Sequence, residues 1–530
     1  MSEAAQGIMS ERSRAASLAL ASAAFALPLL ASLVNLLKFD DYPIASREVW
    51  PIYAGLVALG GAIALIHLAT PRIIRTLIEA AFVALVVDIN SDGVLWVVLS
   101  ATATLVVGLL SRRSLISPMA FGGGLLLLLC VVGVGDSAKR AVRPIASSSS
   151  LRPTVLHIIL DEHGGIAGLP AENPATPARR ETLKAIYLGQ GFRVYGAAYS
   201  QHMRTTAAVP QILNFGRTLP IREDNRGGGL LLRSSAYFDF LRKQGYALRV
   251  YESSWVDLCA NDPAVSCVRY DEGGLSGLRK AAIPLGEKSM IILIKMLARS
   301  AAVHEAVSLY DRHAVPFARR NGLALDTLSL ANISLTSSLQ SLEITNKLIE
   351  DLAQAKPGQA YVAHVLLPHY PYVLRGDCRV KPRREWLYRH FGGVIRERED
   401  AAYEQMLCVA RKVQAATAAL EHSEAGRNSI VVIHGDHGSR ITVHDPRAGA
   451  PPAGRDLVAG YATLFAVKAP GVDAGYEPRP ARVDDLLAAF ARSNFTAAPV
   501  PQPARQEIFL EDAKWRPAMR ARLPENWAAR

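Results

Sequence analysis

The chain has 530 residues, more than one ordinary domain holds, so two or more folding units are expected. Hydrophobic residues make up 50% of the chain and charged residues 20%, and the mean hydropathy is +0.15. This balance excludes a disordered chain and indicates a membrane portion. The net charge of +12 fits an anionic lipid surface or a phosphate-rich substrate.

Nearly all of the excess hydrophobicity lies before residue 136, in five apolar runs. Each run approaches the ~20 apolar residues with which a helix crosses ~30 Å of hydrocarbon. The first run exceeds the apolar core of a cleavable signal peptide, so it is interpreted as an anchor. A re-entrant hairpin is the alternative for the third and fourth runs, which are the shortest. The sequence predicts a bundle of five transmembrane helices at 1–136, with spans at about 15–38, 50–70, 74–90, 94–111 and 115–135.

The basic residues of the short loops predict the orientation of this bundle. On one side, arginine pairs precede the first run and fill the gaps after the second and fourth runs: Arg12 with Arg14, Arg72 with Arg75, and Arg112 with Arg113. The opposite side carries Lys38 and Arg47, which neighbouring acidic residues dilute. Since loops rich in Lys and Arg stay in the cytoplasm, the N-terminus is predicted to be cytoplasmic. The chain after residue 136 would then lie outside a bacterial inner membrane, which excludes nucleic acid as a partner.

Residues 137–152 are rich in serine and lack periodicity, which predicts a linker before a second domain at 153–530. In that domain short β-like runs alternate with helical patterns, as is typical of an α/β domain with a mostly parallel sheet. The pattern is weak between about 275 and 335, where the apolar stretch 289–296 is interpreted as a core helix, with an interfacial helix as the alternative. The predicted strands are 155–160, 192–195, 247–251, 361–367, 430–434 and 462–467, and the predicted helices are 232–243, 335–355, 400–420 and 483–492.

The chain has five cysteines, of which Cys130 falls within the fifth apolar run. The other four can pair in three ways in an oxidising compartment. Their short separation favours Cys259 with Cys267, and therefore Cys378 with Cys408. None of them has the spacing of zinc ligands.

Acidic and imidazole side chains follow two of the predicted strands. The strand 155–160 runs into the sequence DEHGG, and the strand 430–434 runs into GDHG. Ligand sites of α/β sheets form at the carboxyl ends of strands, although a single strand-end aspartate more often caps the next helix. Zinc suits one nitrogen with oxygens, and manganese, calcium or magnesium suit the carboxylates. The two segments together predict a divalent metal site with the ligands Asp161, Glu162, Asp436 and His437.

These strand ends and two further segments resemble the alkaline phosphatase/sulfatase superfamily. The further segments are a threonine-bearing stretch at 200–216 and the sequence LLPHYPY at 366–372. Within the superfamily, the chain is most similar to membrane enzymes with five spans and an external catalytic domain, namely phosphoethanolamine transferases and lipoteichoic acid synthases. The resemblance implies a metal-bound nucleophile after the first βα unit, in the segment that begins at Ser200.

Two threonines in that segment are candidates for the nucleophile. Counting back from Gly216, the spacing in sulfatases points to Thr206, and the spacing in phosphoethanolamine transferases points to Thr205. A hydroxyl needs metal coordination or an adjacent base before it attacks. Either threonine could instead only cap the helix that follows.

The resemblance also implies a histidine that contacts the transferred group, and His369 matches it. As an imidazolium it could donate to phosphate oxygens, and as a neutral base it could relay a proton. Arg440 is a candidate phosphate clamp, and His364 is interpreted as a core histidine. Supporting roles around the site are considered for His202, His434 and His444.

The resulting hypothesis is a metal-dependent transferase that moves a phospho-substituent from a phospholipid head group, through a threonine, to an envelope glycan or lipid. Sulfate-ester hydrolysis is disfavoured, because sulfatases convert a Cys or Ser of a Cys/Ser-x-Pro-x-Arg motif to formylglycine and none stands at the equivalent place here. The alternatives are a hydrolase of phosphate or sulfate esters, which forms product without an acceptor, and a non-catalytic envelope protein.

The loop charges give a test of topology. A periplasm-active reporter fused after Ser150 should be active, and one fused after Arg113 should be inactive, because the arginine pairs hold their loops in the cytoplasm. The opposite pattern of activity would place the second domain in the cytoplasm.

Overall fold

A computed structural model of the chain divides into two units by its contacts. The helical unit comprises Met1–Lys139 and Ile283–Leu335, and the α/β unit comprises Arg140–Ala282 and Thr336–Arg530. The predicted linker 137–152 lies almost entirely outside the described residues. The described residues are 3–91, 93–110, 115–132, 152–217, 230–232, 234–259, 262, 264–321, 336–387, 395–426, 428–443, 453–502, 505–512 and 517–529.

The helices and strands of the described residues are numbered here in chain order. The helices are α1 (Glu3–Phe39), α2 (Trp50–Ala69), α3 (Arg72–Asn90), α4 (Val94–Leu110), α5 (Ile116–Val132), α6 (Thr176–Gly189), α7 (Thr205–Leu213), α8 (Ala236–Lys243), α9 (Ser276–Lys280), α10 (Leu285–Leu297), α11 (Ala301–Leu309), α12 (Val315–Arg320), α13 (Ser337–Leu352), α14 (Ile395–Glu421), α15 (Gly454–Tyr461) and α16 (Val483–Arg492). The strands are β1 (Val155–Leu160), β2 (Arg193–Tyr199), β3 (Leu230–Leu231), β4 (Ala247–Ser253), β5 (Val256–Asp257), β6 (Val265–Tyr270), β7 (Gln359–Val365), β8 (Ile430–Gly435), β9 (Ala462–Lys468), β10 (Gly475–Glu477), β11 (Ala481–Arg482), β12 (Glu507–Glu511) and β13 (Pro517–Arg522).

Helices α1 to α5 occupy the five apolar runs of the helical unit. Helix α1 packs against α2 and α5, and α3 packs against α4. A Cβ at Gly60 of α2 would lie 2.7 Å from the backbone nitrogen of Ala26 in α1, so only glycine permits this close approach.

Two of these helices meet the length and apolarity needed to cross a membrane. Among the described residues they are Ser13–Phe39 and Trp50–Ala69. Helix α3 carries four charged side chains, and α4 and α5 have 17 residues each. The five helices are therefore present, but five membrane spans are not confirmed and stay a prediction.

Helices α10 to α12 belong to the helical unit although they come late in the chain. Helix α10 contains the stretch 289–296 and buries one face, which includes Ile292 and Met296, and it contacts α1 and α2. The predicted core helix therefore has a buried face, but the face packs against the N-terminal helices. The sequence pattern does not reveal this, because periodicity identifies a buried face and not the partner that covers it.

A nine-stranded sheet organises the α/β unit, in the order β10-β2-β9-β8-β1-β7-β4-β6, with β11 also paired to β2. Strand β9 runs antiparallel to β2 and β8, and the other pairs of this sheet are parallel. The α/β prediction is confirmed, and the sheet is mixed because of β9. Strand β1 has the sequence VLHIIL and is buried throughout, as a central strand that is covered on both faces must be.

The register of the central strands fixes where the chain leaves the sheet. Leu160, the last residue of β1, pairs with Val365 of β7 on one side and Gly435 of β8 on the other. Because the three strands are parallel, their carboxyl ends meet at one edge of the sheet. Three segments that are far apart in sequence are thereby adjacent in space.

Two disulfide bonds join the four cysteines of the α/β unit. Cys259 is bonded to Cys267, and Cys378 is bonded to Cys408. The first closes a short loop between β5 and β6, and the second ties the loop after β7 to α14. This is the pairing that the sequence separations favour.

The loop lengths predict different effects on stability. Replacing Cys378 and Cys408 by serine should lower the free energy of unfolding by about 4 kcal/mol, because 30 residues separate them. Replacing Cys259 and Cys267 should lower it by about 3 kcal/mol, since the unfolded chain gains less freedom from a shorter loop. Denaturant unfolding of the full chain measures both, and equal stability of all three proteins would contradict the pairing.

Candidate functional site

The predicted ligands lie together where β1 and β8 end. The carboxylate of Asp161 and the imidazole of His437 are 3.6 Å apart, between Oδ1 and Nε2. Nε2 of His437 is also 3.3 Å from Oδ2 of Asp436. All three side chains are buried, and their ligand atoms lie within 4.8 Å of one another.

Backbone groups fix the orientation of these side chains. The amides of Glu162 and His437 donate to Oδ1 of Asp436, at 3.1 and 2.7 Å, so this carboxylate joins the ends of both strands. Nδ1 of His437 lies 2.9 Å from the carbonyl of Gly438. A carbonyl can only accept, so Nδ1 carries the proton and Nε2 directs its lone pair toward Asp161.

Thr205 is the threonine whose hydroxyl contacts this group. Its Oγ1 lies 3.5 Å from Oδ1 of Asp161 and 3.3 Å from Nε2 of His437. Thr205 is the first residue of α7, and Val209 and Ile212 of this helix pack into the main core of the α/β unit. Thr206 is buried as well, but among the described residues the hydrogen bonds to Asp161 and His437 come from Thr205 and not from Thr206. The packing of α7 therefore presents one threonine to the strand ends.

Glu162 lies in a second group with Arg440 and His369. Nε of Arg440 donates to Oε1 of Glu162 at 2.7 Å, and Nη2 donates to the same oxygen. Nε2 of His369 lies 3.5 Å from Oε1 of Glu162 and 3.5 Å from Nη2 of Arg440. Arg440, the candidate phosphate clamp, thus forms an ion pair with a predicted metal ligand.

The loop that carries His369 is held by side chains that sequence reasoning did not single out. Gln405, fully buried in α14, donates to the carbonyls of Pro368 and His369 and accepts from the amides of Val373 and Leu374. Ser338 of α13 donates to the carbonyls of His369 and Pro371. No sequence signal marks these residues, because a glutamine or serine inside a helix is usually exposed.

Burial and mutual repulsion dominate the electrostatics of the carboxylates. Burial, with the nearby carboxylates of Asp436 and Glu162, raises the pKa of Asp161 well above its ordinary value. Burial also raises the pKa of Asp436 to about 7. Burial raises the pKa of Glu162 to about 7, although the Arg440 guanidinium opposes the rise. Three acidic groups share a site in which their ionised forms are unfavourable without added positive charge.

The imidazoles of the site are held neutral. Burial lowers the pKa of His437 well below its ordinary value, and Arg440 lowers it further. Burial and the same guanidinium lower the pKa of His369 to about 3. Nδ1 of His369 lies 2.5 Å from the carbonyl of Tyr370, so this nitrogen holds the proton and Nε2 is the acceptor.

This donor set fits a divalent cation. Asp161, Asp436 and His437 offer two carboxylates and one imidazole nitrogen that converge from two strand ends, and Thr205 places a hydroxyl beside them. Oxygen donors with one nitrogen suit zinc and manganese, and a cation would offset the burial and, at Asp161, the repulsion that raise the carboxylate pKa values.

The other predicted histidines lie apart from this group. His364 and His434 are fully buried within the central strands, and the ring of His434 stacks on Phe465. His202 stacks on Phe509, with ring centroids 5.1 Å apart. His444 lies outside the described residues.

Glu511 is a buried acidic residue that sequence reasoning missed. It ends β12 and is fully buried, and burial raises its pKa to about 7 while Arg204 and Arg440 lower it. Arg204 directly precedes Thr205 and Arg440 pairs with Glu162, so Glu511 contributes negative charge near the two groups. The end of a late, short strand gives no signal of this position in the sequence.

A cavity of about 330 Å³ lies beside the strand ends. Gly164 and Ser439, which follow the two ligand segments, form part of its wall, and Met406 and Trp527 supply apolar surface. Arg455, at its rim, pairs with Glu399. A cavity of this size is typical of small-molecule sites, so it offers room for part of a substrate next to the ligand cluster.

Similarity to known proteins is found among solved structures and not among protein sequences. No family model matches the chain, and no curated protein matches it. The chain is similar to the zinc complex of the C-terminal periplasmic domain of EcEptC from Escherichia coli, with 11% identity, coverage of 73% of this chain and 98% of that one, and a TM-score of 0.40.

Two further solved structures are also similar to the chain. Phosphonate monoester hydrolase of Agrobacterium radiobacter matches with 15% identity, coverage of 68% and 80%, and a TM-score of 0.36. A protein in the alkaline phosphatase superfamily from Vibrio parahaemolyticus matches with 10% identity, coverage of 69% and 74%, and a TM-score of 0.37.

Metal content tests the ligand cluster. Asp436→Ala and His437→Ala should each weaken metal binding by at least about tenfold, since each removes a donor that converges on Asp161. Elemental analysis of the purified full chain measures this, with His422→Ala as the control because His422 is an exposed histidine. Equal metal content in all four proteins would show that the cluster does not bind metal.

Proposed function

We propose that this protein is a membrane-anchored, metal-dependent transferase of the alkaline phosphatase/sulfatase superfamily. Its reaction moves a phospho-substituent from a phospholipid head group, through Thr205, to a hydroxyl of an envelope glycan or lipid. One observation carries the proposal: the hydroxyl of Thr205 lies 3.5 Å from Oδ1 of Asp161 and 3.3 Å from Nε2 of His437. A hydroxyl is a weak nucleophile, so it needs a base or a metal at this distance before it can attack phosphorus.

The nucleophile is activated by its surroundings. A divalent cation held by Asp161, Asp436 and His437 would supply the positive charge that lowers the pKa of a nearby hydroxyl and stabilises a phosphoryl group. Thr205 also stands at the N-terminus of α7, where backbone amides and the helix dipole favour a negative charge. The same position suits an incoming phosphate and the deprotonated hydroxyl that attacks it.

In the first half-reaction, Oγ1 of Thr205 attacks the phosphorus of the donor phosphodiester. A bond forms between this oxygen and phosphorus, and the bond between phosphorus and the glycerol oxygen of the lipid breaks. The threonine proton ends on the departing glycerol oxygen, so diacylglycerol leaves as an alcohol. A phospho-threonine that still carries the head-group substituent is the product of this step.

In the second half-reaction, His369 relays a proton. Its Nδ1 carries the ring proton, so Nε2 is the acceptor nitrogen, and burial with the Arg440 guanidinium lowers the pKa of the ring to about 3. Its Nε2 therefore accepts the proton of the acceptor hydroxyl as that oxygen attacks phosphorus. The bond from phosphorus to Thr205 breaks, and the proton passes to Oγ1 and restores the enzyme.

Arg440 serves this scheme through its charge. Its ion pair with Glu162 fixes the guanidinium beside Nε2 of His369, at 3.5 Å. From there it favours the neutral form of His369 and attracts an anionic substrate. Glu162 thus orients the Arg440 guanidinium and lies next to Asp161 of the ligand cluster.

The membrane anchor agrees with a lipid donor, because it confines the site to the surface where the donor lies. Two residues of the helical unit that come late in the chain contact the same end of the N-terminal helices. Lys295 pairs with Asp40, and Ser300 donates to Asp88. Arg72 and Arg75 begin α3, whereas Asp88 lies near its other end. Lys295 and Ser300 therefore contact the end of the helical unit opposite the arginine pair.

Mutation of the two threonines tests the mechanism. Thr205→Ala should lower turnover by at least about a thousandfold and abolish the covalent adduct, because the phospho-intermediate needs its hydroxyl. Thr205→Ser should retain part of the activity, since the hydroxyl remains and only the methyl group that restricts its rotamer is lost. Thr206→Ala is the matched control and should stay within about tenfold of the parent, as its hydroxyl lies off the cluster.

The measurement combines mass spectrometry of the full chain after incubation with phospholipids and an assay of diacylglycerol release. Turnover of Thr205→Ala at the parent rate would overturn the proposal. Release of the phosphorylated head group without any acceptor would instead favour a hydrolase at the same site.

A further inference from the structure

Residues 285–320, called the arm here, attach to one end of the helical unit through polar contacts. Lys295 of α10 lies 2.8 Å from the buried Asp40, which follows α1. Ser289 donates to the backbone carbonyl of Glu48 at 2.5 Å, and Ser300 donates to Asp88 at 2.5 Å. These contacts attach α10 beside α1 and α2, and the start of α11 beside α3.

The rest of the arm exposes apolar side chains, although α11 contacts α3 and Val315 of α12 is buried. Helix α11 has the sequence AAVHEAVSL, and none of its side chains is buried. Leu309 is 47% exposed, and Phe317 in α12 is 67% exposed. A helix with so much apolar surface and no buried side chain needs a partner, because packing of an apolar face supplies most helical stability.

The pattern of side chains along the arm is that of an interfacial helix. His304 and Ser308 lie four residues apart in α11, and Arg312, in the π-helical turn that follows, pairs with Glu305 and donates to the carbonyl of Ser308, so these residues form a polar face. Ala302 and Ala306 recur at four-residue spacing among apolar neighbours. From 283 to 320 there are six basic and three acidic residues, a net positive charge that suits anionic head groups. An apolar face beside a basic polar face is typical of helices that lie in a membrane surface.

The surface next to the arm continues the same apolar character. Phe39 and Trp50, at the ends of α1 and α2 that α10 crosses, are 58% and 60% exposed. The guanidinium of Arg299 lies 5.7 Å from the centre of the Phe39 ring. Exposed aromatic side chains at a helix end are typical of the boundary between hydrocarbon and head groups.

We propose that the arm lies in the outer interface of the lipid bilayer, with Leu309 and Phe317 inserted at the level where head groups meet acyl chains. The inference rests on the proposed membrane anchoring of α1 and α2. It assigns a role to the part of the chain with the weakest sequence pattern: a second, shallow attachment that returns the chain to the surface that holds the lipid donor.

Spin labelling of the full chain in lipid nanodiscs tests the proposal. In a Cys130→Ser background, single cysteines replace Leu309 and Phe317, and matched cysteines replace His304 and Arg312 on the polar face. All four side chains are exposed, so the labels displace no buried group. The ratio of oxygen to nickel-chelate accessibility reports depth, because oxygen concentrates in lipid and the chelate stays in water.

The labels at 309 and 317 should give a severalfold higher ratio than the labels at 304 and 312. Equal, water-like ratios at all four positions would overturn the proposal. Low accessibility to both reagents at 309 and 317 would also overturn it, since protein and not lipid would then cover this face.

A label at Val57, an exposed residue of α2, separates this inference from the proposed anchoring. A water-like ratio at Val57 would refute the membrane anchor itself, whereas a lipid-like ratio there with water-like ratios on the arm would refute only the arm. Phe317→Trp gives an independent measurement, since lipids brominated near the head group should quench its added fluorescence relative to the parent.

Discussion

The requirement to bury negative charge at one edge of a sheet governs the α/β unit. Asp161, Glu162 and Asp436 are almost fully buried, and burial raises the pKa of each carboxylate. Burying ionised groups costs several kcal/mol each unless opposite charge and hydrogen bonds compensate it. Arg440 compensates Glu162, and backbone amides compensate Asp436. A divalent cation would offset the charge that stays uncompensated at Asp161 and Asp436.

The topology of the sheet produces this crowding. Because β1 lies between β7 and β8, the chain leaves the sheet at adjacent points after residues 160, 365 and 435. A different set of polar side chains follows each strand. Two carboxylates follow β1, a neutral histidine lies in the loop after β7, and a carboxylate with an imidazole follows β8. Helix α7 adds a hydroxyl at its first residue, Thr205. Rigid strands and a packed helix hold the parts, as a site that stabilises developing charge requires.

Much of this arrangement could be predicted from the sequence, because strand periodicity and strand-end polar residues are local signals. The run VLHIIL followed by DEHGG indicates both a buried strand and its functional end. The choice between Thr205 and Thr206 could not be predicted, since adjacent residues at a helix start differ only in the direction that packing gives them. The ion pair between Arg440 and Glu162 could not be predicted either, because 278 positions separate the two residues in the chain. Gln405, whose five hydrogen bonds hold the His369 loop, has no local sequence pattern that marks it.

The proposed mechanism requires a divalent metal between the ends of β1 and β8, next to Thr205. Anomalous X-ray diffraction from metal-loaded crystals of the full chain tests it most directly, because the anomalous signal locates the ion without assumptions about its ligands. We expect one peak at about 2.0–2.2 Å from donor atoms of Asp161, Asp436 and His437, with the Thr205 hydroxyl beside it. A metal peak away from these residues, or crystals in which Arg440 or a water network fills the position at saturating metal, would contradict it.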